Sequence, residues 1–241
     1  MEDTLLREQY KTVRILRQDE HYVCAQAVDI LDREKRSCLL NLYGGPLLRT
    51  YLPCFQNLSG HEGFLNVFLD GGRLAAVFDD TEGTPIDAVF YRGDRHSRQD
   101  RLDWADALMK QVLSLADIAP EIACSVLLSE NVMTVPDEKQ IRLRFAVCPM
   151  EGTNSREAAL LAGDQLKKIL RPGWESPIEE LDFLDELNRG EYLNIVKLYA
   201  LWTRRREAIA AAYGELEKKN CFHRMLILTW RRIRRKLAQR G

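Results

Sequence analysis

Hydrophobic and polar residues alternate along much of the first 80 residues, with the period expected of half-buried β-strands. Five runs show this alternation or a strand-like apolar content. The last two flank Gly71 and Gly72, and a two-residue glycine loop favours the tight primed turns of β-hairpins. We therefore expect an antiparallel sheet of five strands. The runs lie at 10–16, 22–29, 37–43, 64–70 and 73–79.

Helical spacing dominates after residue 80, and an earlier apolar segment, 47–58, is also predicted to be a helix. Pro53 stands within that segment and is expected to kink or split it. The stretch 80–85 contains glycine and proline, so it is interpreted as a hinge between a region of residues 1–80 and one of residues 81–241. Later helices are predicted at 101–115, 155–170 (capped by Asn154 or Ser155), 176–190, 191–212 and 216–239, with a break near Gly214.

The stretch 122–147 is predicted to hold three strands. A short strand begins at Ile122, and a polar Ser-Glu-Asn step at 129–131 follows it. Two further strands, 132–135 and 140–147, are joined by a tight turn that starts at Pro136.

This stretch resembles the catalytic loop and the metal-binding strand of protein kinases, which read H-R-D-L-K-P-E-N-I-L and K-L-x-D-F-G. Glu130, Asn131 and Val132 match E-N-I, and Phe145 and Ala146 stand where Phe-Gly would. The order of strands, hinge, long helix and hairpin is similar as well. The resemblance implies an α+β, kinase-like architecture of two lobes, with a five-stranded antiparallel N-terminal lobe and a reduced helical C-terminal lobe.

By the same resemblance, the residues that carry kinase chemistry are replaced. Val126 stands at the catalytic aspartate, Arg144 at the metal-binding aspartate and Asn41 at the phosphate-gripping lysine, while the first turn, 17–20, has no glycine. Phosphoryl transfer requires a metal clamp and a group that orients the nucleophile, and Asn131 alone remains. The chain thus resembles a pseudokinase. It is similar in kind to the cytoplasmic pseudokinase domains of bacterial secretion-system membrane proteins. No catalytic residue, metal ligand or cofactor is predicted.

Two arginines leave nucleotide binding open. Arg144 would neutralise a phosphate in place of a metal ion, with Arg142 two residues away on the same strand face. In the favoured interpretation Arg144 instead pairs with a carboxylate such as Glu130. The alternatives to a pseudokinase are therefore an atypical, metal-poor nucleotide-binding enzyme and an unrelated α+β interaction protein.

The C-terminal segment carries a basic amphipathic pattern. Leu226, Trp230, Ile233 and Leu237 share one helical face, and arginines and a lysine cover the rest. Such a helix docks in an acidic protein groove or lies on an anionic membrane surface; alternatively, its apolar stripe packs on the domain. The candidate contacts are Trp230, Arg231, Arg232, Arg234, Arg235 and Lys236.

Composition narrows the function classes. The chain has 241 residues and a net charge of −1, which makes nucleic acid an improbable partner. Its six cysteines are widely spaced without a C-x-x-C motif, so reduced core thiols are expected. The arginine-rich stretch 91–101 is interpreted as a solvated or salt-bridged face. With no apolar run of membrane-spanning length, we expect a cytoplasmic scaffold or protein-binding module, with peripheral membrane contact as an option.

Overall fold

The computed structural model describes residues 5–220, 225, 226, 228–230 and 233. Its N-terminal lobe is built on one antiparallel sheet of six strands in the order β1-β2-β3-β4-β6-β5. The prediction of five strands is wrong by one, because β1 has only two residues and is too short to show alternation. The strands are β1 (Leu5–Leu6), β2 (Tyr10–Gln18), β3 (Tyr22–Asp29), β4 (Ser37–Tyr43), β5 (Phe64–Asp70) and β6 (Arg73–Asp79).

The β5–β6 hairpin forms where the sequence predicts it. Asp70 and Arg73 face each other across the loop, and Gly71 and Gly72 have φ angles of 54° and 76°. Two successive positive φ angles define the primed turn that matches the twist of the flanking strands. Glycine is therefore required here for conformation.

Helix α1 (Gly45–Gln56) packs against the sheet as one continuous element. The helix is therefore not split at Pro53, one of the two outcomes predicted there. Tyr51 and Phe55 on either side of the proline are buried, and Tyr51 stacks on Tyr43 of β4 with ring centroids 4.4 Å apart. This packing outweighs the single backbone hydrogen bond that a proline cannot donate.

The sheet is curled, so that both of its faces bury apolar side chains. One face joins α1 and the C-terminal lobe in the main core. On the other face a smaller cluster forms, and Tyr10 of β2 stacks on Phe68 of β5 at 5.8 Å although the two strands are not neighbours. The curl of the sheet thus brings β2 and β5 together over the smaller cluster.

The C-terminal lobe is mostly helical and carries a second, three-stranded antiparallel sheet in the order β7-β8-β9. Among the described residues, no helix is long and apolar enough to cross a lipid bilayer. The elements are β7 (Thr84–Pro85), α2 (Ile86–Val89), α3 (Arg98–Leu113), α4 (Pro120–Val126), β8 (Val132–Val135), β9 (Gln140–Leu143), α5 (Ser155–Leu170), α6 (Ile178–Arg189) and α7 (Ile195–Glu217).

One helix is confirmed where the sequence shows a capping residue at its start. The predicted α5 agrees with the structure, and the Asn154 side chain accepts a hydrogen bond from the backbone of Glu157 at its N-terminus. By contrast, the break predicted at or near Gly214 comes later than expected, since α7 continues through Gly214 to Glu217. Tyr213 and Leu216 are buried on either side of this glycine. Their packing therefore stabilises the helix although glycine has a low helix propensity.

The secondary structure predicted for the start of the stretch 122–147 is wrong. The predicted strand at Ile122 is the short helix α4, which starts at Pro120, a residue that favours the first turn of a helix. A short apolar run is compatible with a buried helix as well as with a strand. Strand β9 also ends earlier than predicted, at Leu143, and the chain then turns toward the N-terminal lobe.

Candidate functional site

Asn41, the predicted equivalent of the kinase lysine, lies in the middle of β4 and is fully buried. Its Oδ1 accepts hydrogen bonds from the Tyr22 hydroxyl at 3.0 Å and from the backbone N–H of Val147 at 2.9 Å. Its Nδ2 donates to the carbonyl of Phe145 at 2.8 Å. The amide therefore joins β4 to the segment that follows β9, and both of its polar atoms are already engaged.

Tyr43 strengthens the same junction two residues further along β4. Its hydroxyl donates to the carbonyl of Val147 at 2.6 Å. Burial raises the pKa of both Tyr43 and Tyr22 well above the ordinary value, so both hydroxyls keep their protons. Phe145 stacks on Phe78 of β6 with centroids 4.8 Å apart. We name residues 145–148, held in this way against β4 and β6, the clamped segment.

Asn131 fixes the clamped segment from the other side. Its Nδ2 donates to the carbonyls of Ser125 and Ala146, at 2.8 and 3.1 Å. The Ser125 hydroxyl also donates to Ala146 and accepts from the N–H of Cys148. Asn131, the one predicted metal-binding position that keeps its residue type, thus has its amide nitrogen bound to protein backbone. Ser125 was not singled out from the sequence, because only the tertiary structure gives it these partners.

Val126, the predicted equivalent of the catalytic aspartate, is the last residue of α4 and is fully buried in the main core. Its side chain packs among apolar neighbours. A valine side chain has no group that can accept a proton from a hydroxyl.

Arg144 forms an ion pair, as the favoured interpretation predicted, but with a different carboxylate. Its Nη2 lies 3.2 Å from Oδ1 of Asp80, and not against Glu130. Asp80 also accepts hydrogen bonds from Gln26 and Ser37, so it connects β3, β4 and the end of β9. This aspartate precedes Arg144 by 64 residues, and no local sequence signal could have identified it as the partner.

Arg142 and Arg144 do not form the shared phosphate site that strand geometry suggested. Arg142 is exposed and pairs with Glu138 at 2.9 Å. Because β9 ends at Leu143, Arg144 lies beyond the strand and turns to Asp80. Each arginine therefore has its own carboxylate partner.

A cavity of about 780 Å³ adjoins the clamped segment, and Arg142 and Phe145 form part of its wall. Carboxylates outnumber the cations in its lining, an arrangement that repels nucleotide phosphates. In the part of the chain that is described, no group of three or more potential metal ligands occurs. The carboxylates of the lining are Glu62, Asp79, Asp80 and Glu82, and its arginines are Arg36 and Arg142.

The predicted C-terminal contact surface is described only in part. Leu226, Trp230 and Ile233, which the sequence places on one helical face, have exposed fractions of 53%, 61% and 53%. Leu228 is buried instead. The remaining candidates, Arg231, Arg232, Arg234, Arg235 and Lys236, lie outside the described residues.

Comparison with known proteins identifies the fold. No protein-family model matches the chain, and no curated protein matches it by sequence. Among solved structures, the crystal structure of Rad53 1–466 in complex with AMP-PNP matches with a TM-score of 0.58 and 12% identity, over 79% of this chain and 64% of the Rad53 chain. The match thus spans less than two thirds of Rad53. At this identity the likeness shows the fold alone: the chain has a protein-kinase-like α+β fold.

Proposed function

We propose that this chain is a catalytically inactive pseudokinase that acts as a protein-binding or scaffold module. The observation that carries the proposal is the clamped segment against Asn41. In an active kinase a lysine at this position reaches the nucleotide phosphates. Here the Asn41 amide is uncharged, fully buried and bonded to the backbone of residues 145 and 147, which supports the proposal that this position does not hold a phosphate.

The identities of the other aligned residues support the same proposal. Val126 offers no base, and the Arg144 guanidinium would repel a magnesium ion at close range. The Arg144–Asp80 pair is largely buried, and breaking such a pair to admit a ligand leaves an uncompensated charge. The kinase-like fold also removes the alternative in which the resemblance to kinases is accidental.

The C-terminal segment, residues 225–236, supplies the proposed contact surface. Leu226, Trp230 and Ile233 are each more than half exposed, and a cluster of exposed apolar side chains marks an interaction site on many proteins. Basic residues follow directly in sequence, which suits an acidic partner. We propose a protein partner at this surface. An anionic membrane is the alternative, and nucleic acid is not proposed.

One observation favours the second candidate, an atypical nucleotide-binding enzyme. The Nε of Arg144 is buried without a hydrogen-bond partner among the described residues, so this guanidinium retains one unused donor. A phosphate oxygen would be a suitable acceptor. The acidic lining of the neighbouring cavity opposes this candidate.

Calorimetry with ATP, with and without Mg²⁺, tests the proposal on the full chain. We expect no heat of binding up to millimolar ATP. Metal-independent binding that Arg144→Ala abolishes and the exposed control Arg142→Ala retains would contradict the proposal and establish the nucleotide-binding candidate. Thermal unfolding of each variant verifies that it is folded.

The contact surface needs a separate experiment. We expect affinity capture with the full chain to enrich specific proteins that are lost with Trp230→Ala and Leu226→Ser. The matched control is Leu31→Ser, which changes an exposed leucine on the N-terminal lobe. If Trp230→Ala and Leu226→Ser capture the same proteins as the Leu31→Ser control, the C-terminal segment is not the contact surface. Binding to anionic vesicles that depends on Trp230 would favour the membrane alternative.

A further inference from the structure

A separate cavity of about 400 Å³ lies in the C-terminal lobe, between the loop that precedes α3 and the turn that joins α5 to α6. It includes part of the arginine-rich stretch that the sequence suggested to be a solvated or salt-bridged face. We name it the arginine cavity. Its charged lining residues are Asp94, Arg98, Arg101, Arg171 and Glu175, and His96 lies among them.

Arg101 and Asp94 form a buried ion pair at this cavity. Their side chains are only 8% and 3% exposed. Arg101 also donates from Nη1 to the carbonyl of Ile169 at 2.6 Å, which ties α3 to the end of α5. These two side chains are therefore fixed in position by the fold.

The Asp94 carboxylate is only half satisfied. Its Oδ1 accepts from Arg101 and from the backbone N–H of His96. Its Oδ2 is buried without a hydrogen-bond partner among the described residues. An unpaired buried acceptor destabilises a protein unless a donor reaches it. Because Asp94 lines the cavity, a ligand inside the cavity is able to bring that donor.

Arg98 and Arg171 contribute two positive charges that have no ion-pair partner in the described part of the chain. The Arg98 guanidinium lies against Gly173 and over the ring of Tyr213, 5.9 Å from its centroid. Burial lowers the pKa of Arg101; Asp94 and Glu180 raise it, and the neighbouring Arg98 and Arg171 lower it. Arg98 and Arg171 therefore lie close enough to Arg101 to repel it, and an anion bound between them would offset that repulsion.

The backbone at Arg171 is strained as well. Its φ angle is 23°, in the left-handed region that glycine occupies most easily. Strain of this kind persists where the surrounding structure enforces it, and it is frequent at ligand sites. The strained turn carries the Arg171 side chain to the cavity.

We propose that the arginine cavity binds a phosphorylated polyol. Arg98 and Arg171 hold its phosphate, because guanidinium groups match phosphate oxygens in charge and geometry. One of its hydroxyls donates to Oδ2 of Asp94. A free sugar phosphate and the headgroup of a phosphoinositide lipid share this chemistry.

Calorimetry on the full chain with glucose 6-phosphate, methyl phosphate and glucose tests the proposal directly. We expect glucose 6-phosphate to bind, methyl phosphate to bind at least tenfold more weakly, and glucose to give no signal. Equal affinity for glucose 6-phosphate and methyl phosphate would contradict the proposed hydrogen bond between a ligand hydroxyl and Asp94, and would overturn the proposal that the ligand is a polyol. This site is independent of the clamped segment, so its failure leaves the pseudokinase proposal standing.

Variants localise the binding. Arg98→Gln and Arg171→Gln are each expected to weaken glucose 6-phosphate binding at least tenfold. Arg95→Gln is the matched control, because Arg95 is exposed in the same loop and does not line the cavity. Glu175→Gln should tighten binding severalfold by removing a repulsive charge. Unchanged affinity in both Arg98→Gln and Arg171→Gln would overturn the proposal.

A further variant moves Arg98 without changing any charge. A Cβ added at Gly173 would overlap the Arg98 guanidinium, so Gly173→Ala displaces that flexible side chain. We expect weaker binding with the thermal unfolding midpoint unchanged. Retained affinity in a folded Gly173→Ala would contradict the assigned position of the phosphate.

Vesicles distinguish the two sources of the ligand. If the lipid headgroup is the ligand, the chain binds vesicles that contain phosphatidylinositol 4-phosphate more tightly than it binds glucose 6-phosphate, and Arg98→Gln and Arg171→Gln reduce both affinities. The proposal would be overturned if Arg98→Gln and Arg171→Gln bound the vesicles as tightly as the wild-type chain and no glucose 6-phosphate binding were measured. Binding of a phosphoserine peptide in preference to both phosphorylated polyols would overturn it too.

Discussion

Polar groups are buried both in the clamped segment and at the arginine cavity. The two regions differ in whether these groups have hydrogen-bond partners within the protein. In the clamped segment, both polar atoms of Asn41 and the hydroxyls of Tyr22 and Tyr43 have protein partners. In the arginine cavity, Oδ2 of Asp94 has none in the described chain, and neither Arg98 nor Arg171 forms a salt bridge with a described residue. Complete internal hydrogen bonding is typical of a structural junction. Unbalanced charge beside a cavity is typical of a binding site.

This difference has a consequence for the kinase-like fold. The clamped segment, where the proposed function places the lost nucleotide site, is held by internal hydrogen bonds, while the arginine cavity lies elsewhere in the C-terminal lobe. A fold-level likeness therefore says little about where a ligand binds, because function depends on the residues at each site.

The largest expected effect comes from breaking the clamped segment at its centre. Asn41→Leu leaves the Tyr22 hydroxyl, the N–H of Val147 and the carbonyl of Phe145 buried without partners, so we expect the free energy of unfolding to fall by about 4 kcal/mol. Urea denaturation measures it. The exposed Asn188→Leu provides a control, and an equal loss in both variants would contradict the role of the junction.

A smaller effect is expected from removing one hydrogen bond of the same junction. Tyr43→Phe keeps the stacked ring and loses the bond to the carbonyl of Val147, which should lower the free energy of unfolding by about 1–2 kcal/mol. Tyr91→Phe, at an exposed tyrosine, should have no measurable effect. A neutral Tyr43→Phe would show that the junction does not depend on this hydroxyl.

A third prediction concerns the pH dependence of stability beside the arginine cavity. Burial raises the pKa of Glu180 above its usual 4.5, although Ser176, Tyr213, Arg98 and Arg101 act in the opposite direction. The folded protein therefore binds this proton more tightly than the unfolded chain. The resulting stabilisation is present below pH 4.5 and is lost as the pH rises through the folded-state pKa.

Glu180→Gln removes this titration. Relative to the variant, the wild-type chain should lose stability as the pH rises from about 4.5 to 7, as urea denaturation across that range would reveal. The exposed Glu191→Gln should leave the wild-type profile intact. Parallel pH profiles for wild type and Glu180→Gln would show that burial does not raise this pKa.

The smallest expected effect on stability is in the arginine cavity itself. Arg171→Gly relieves the strained backbone and one repulsive charge, while it adds chain entropy to the unfolded state, so the free energy of unfolding should stay within about 0.5 kcal/mol of the wild-type value. The same variant should lose binding of glucose 6-phosphate at least tenfold. A large loss of stability would mean that Arg171 has a structural role, and the contrast with Asn41 would fail.

The sequence alone determined the local elements that have strong chemical markers. The Gly71–Gly72 turn, the Asn154 cap and the alternation in β3 and β4 each act within a few residues of the chain, so their signals are readable without the fold. The kinase-like order of elements was readable for the same reason, because each element in it had its own pattern. The replacement of catalytic residues at Asn41, Val126 and Arg144 is likewise a property of the sequence, once that alignment is accepted.

Tertiary structure alone decided the partners across long separations. Asn41 bonds Phe145, 104 residues away, and Arg144 pairs with Asp80 rather than with the nearby Glu130. It also kept α1 whole at Pro53 and made Ile122 part of a helix, because packing energy outweighs a weak local preference. The arginine cavity belongs to this class as well. Charge in the stretch 91–101 was visible from the sequence, but only the fold brings Arg98 and Arg171 to one place.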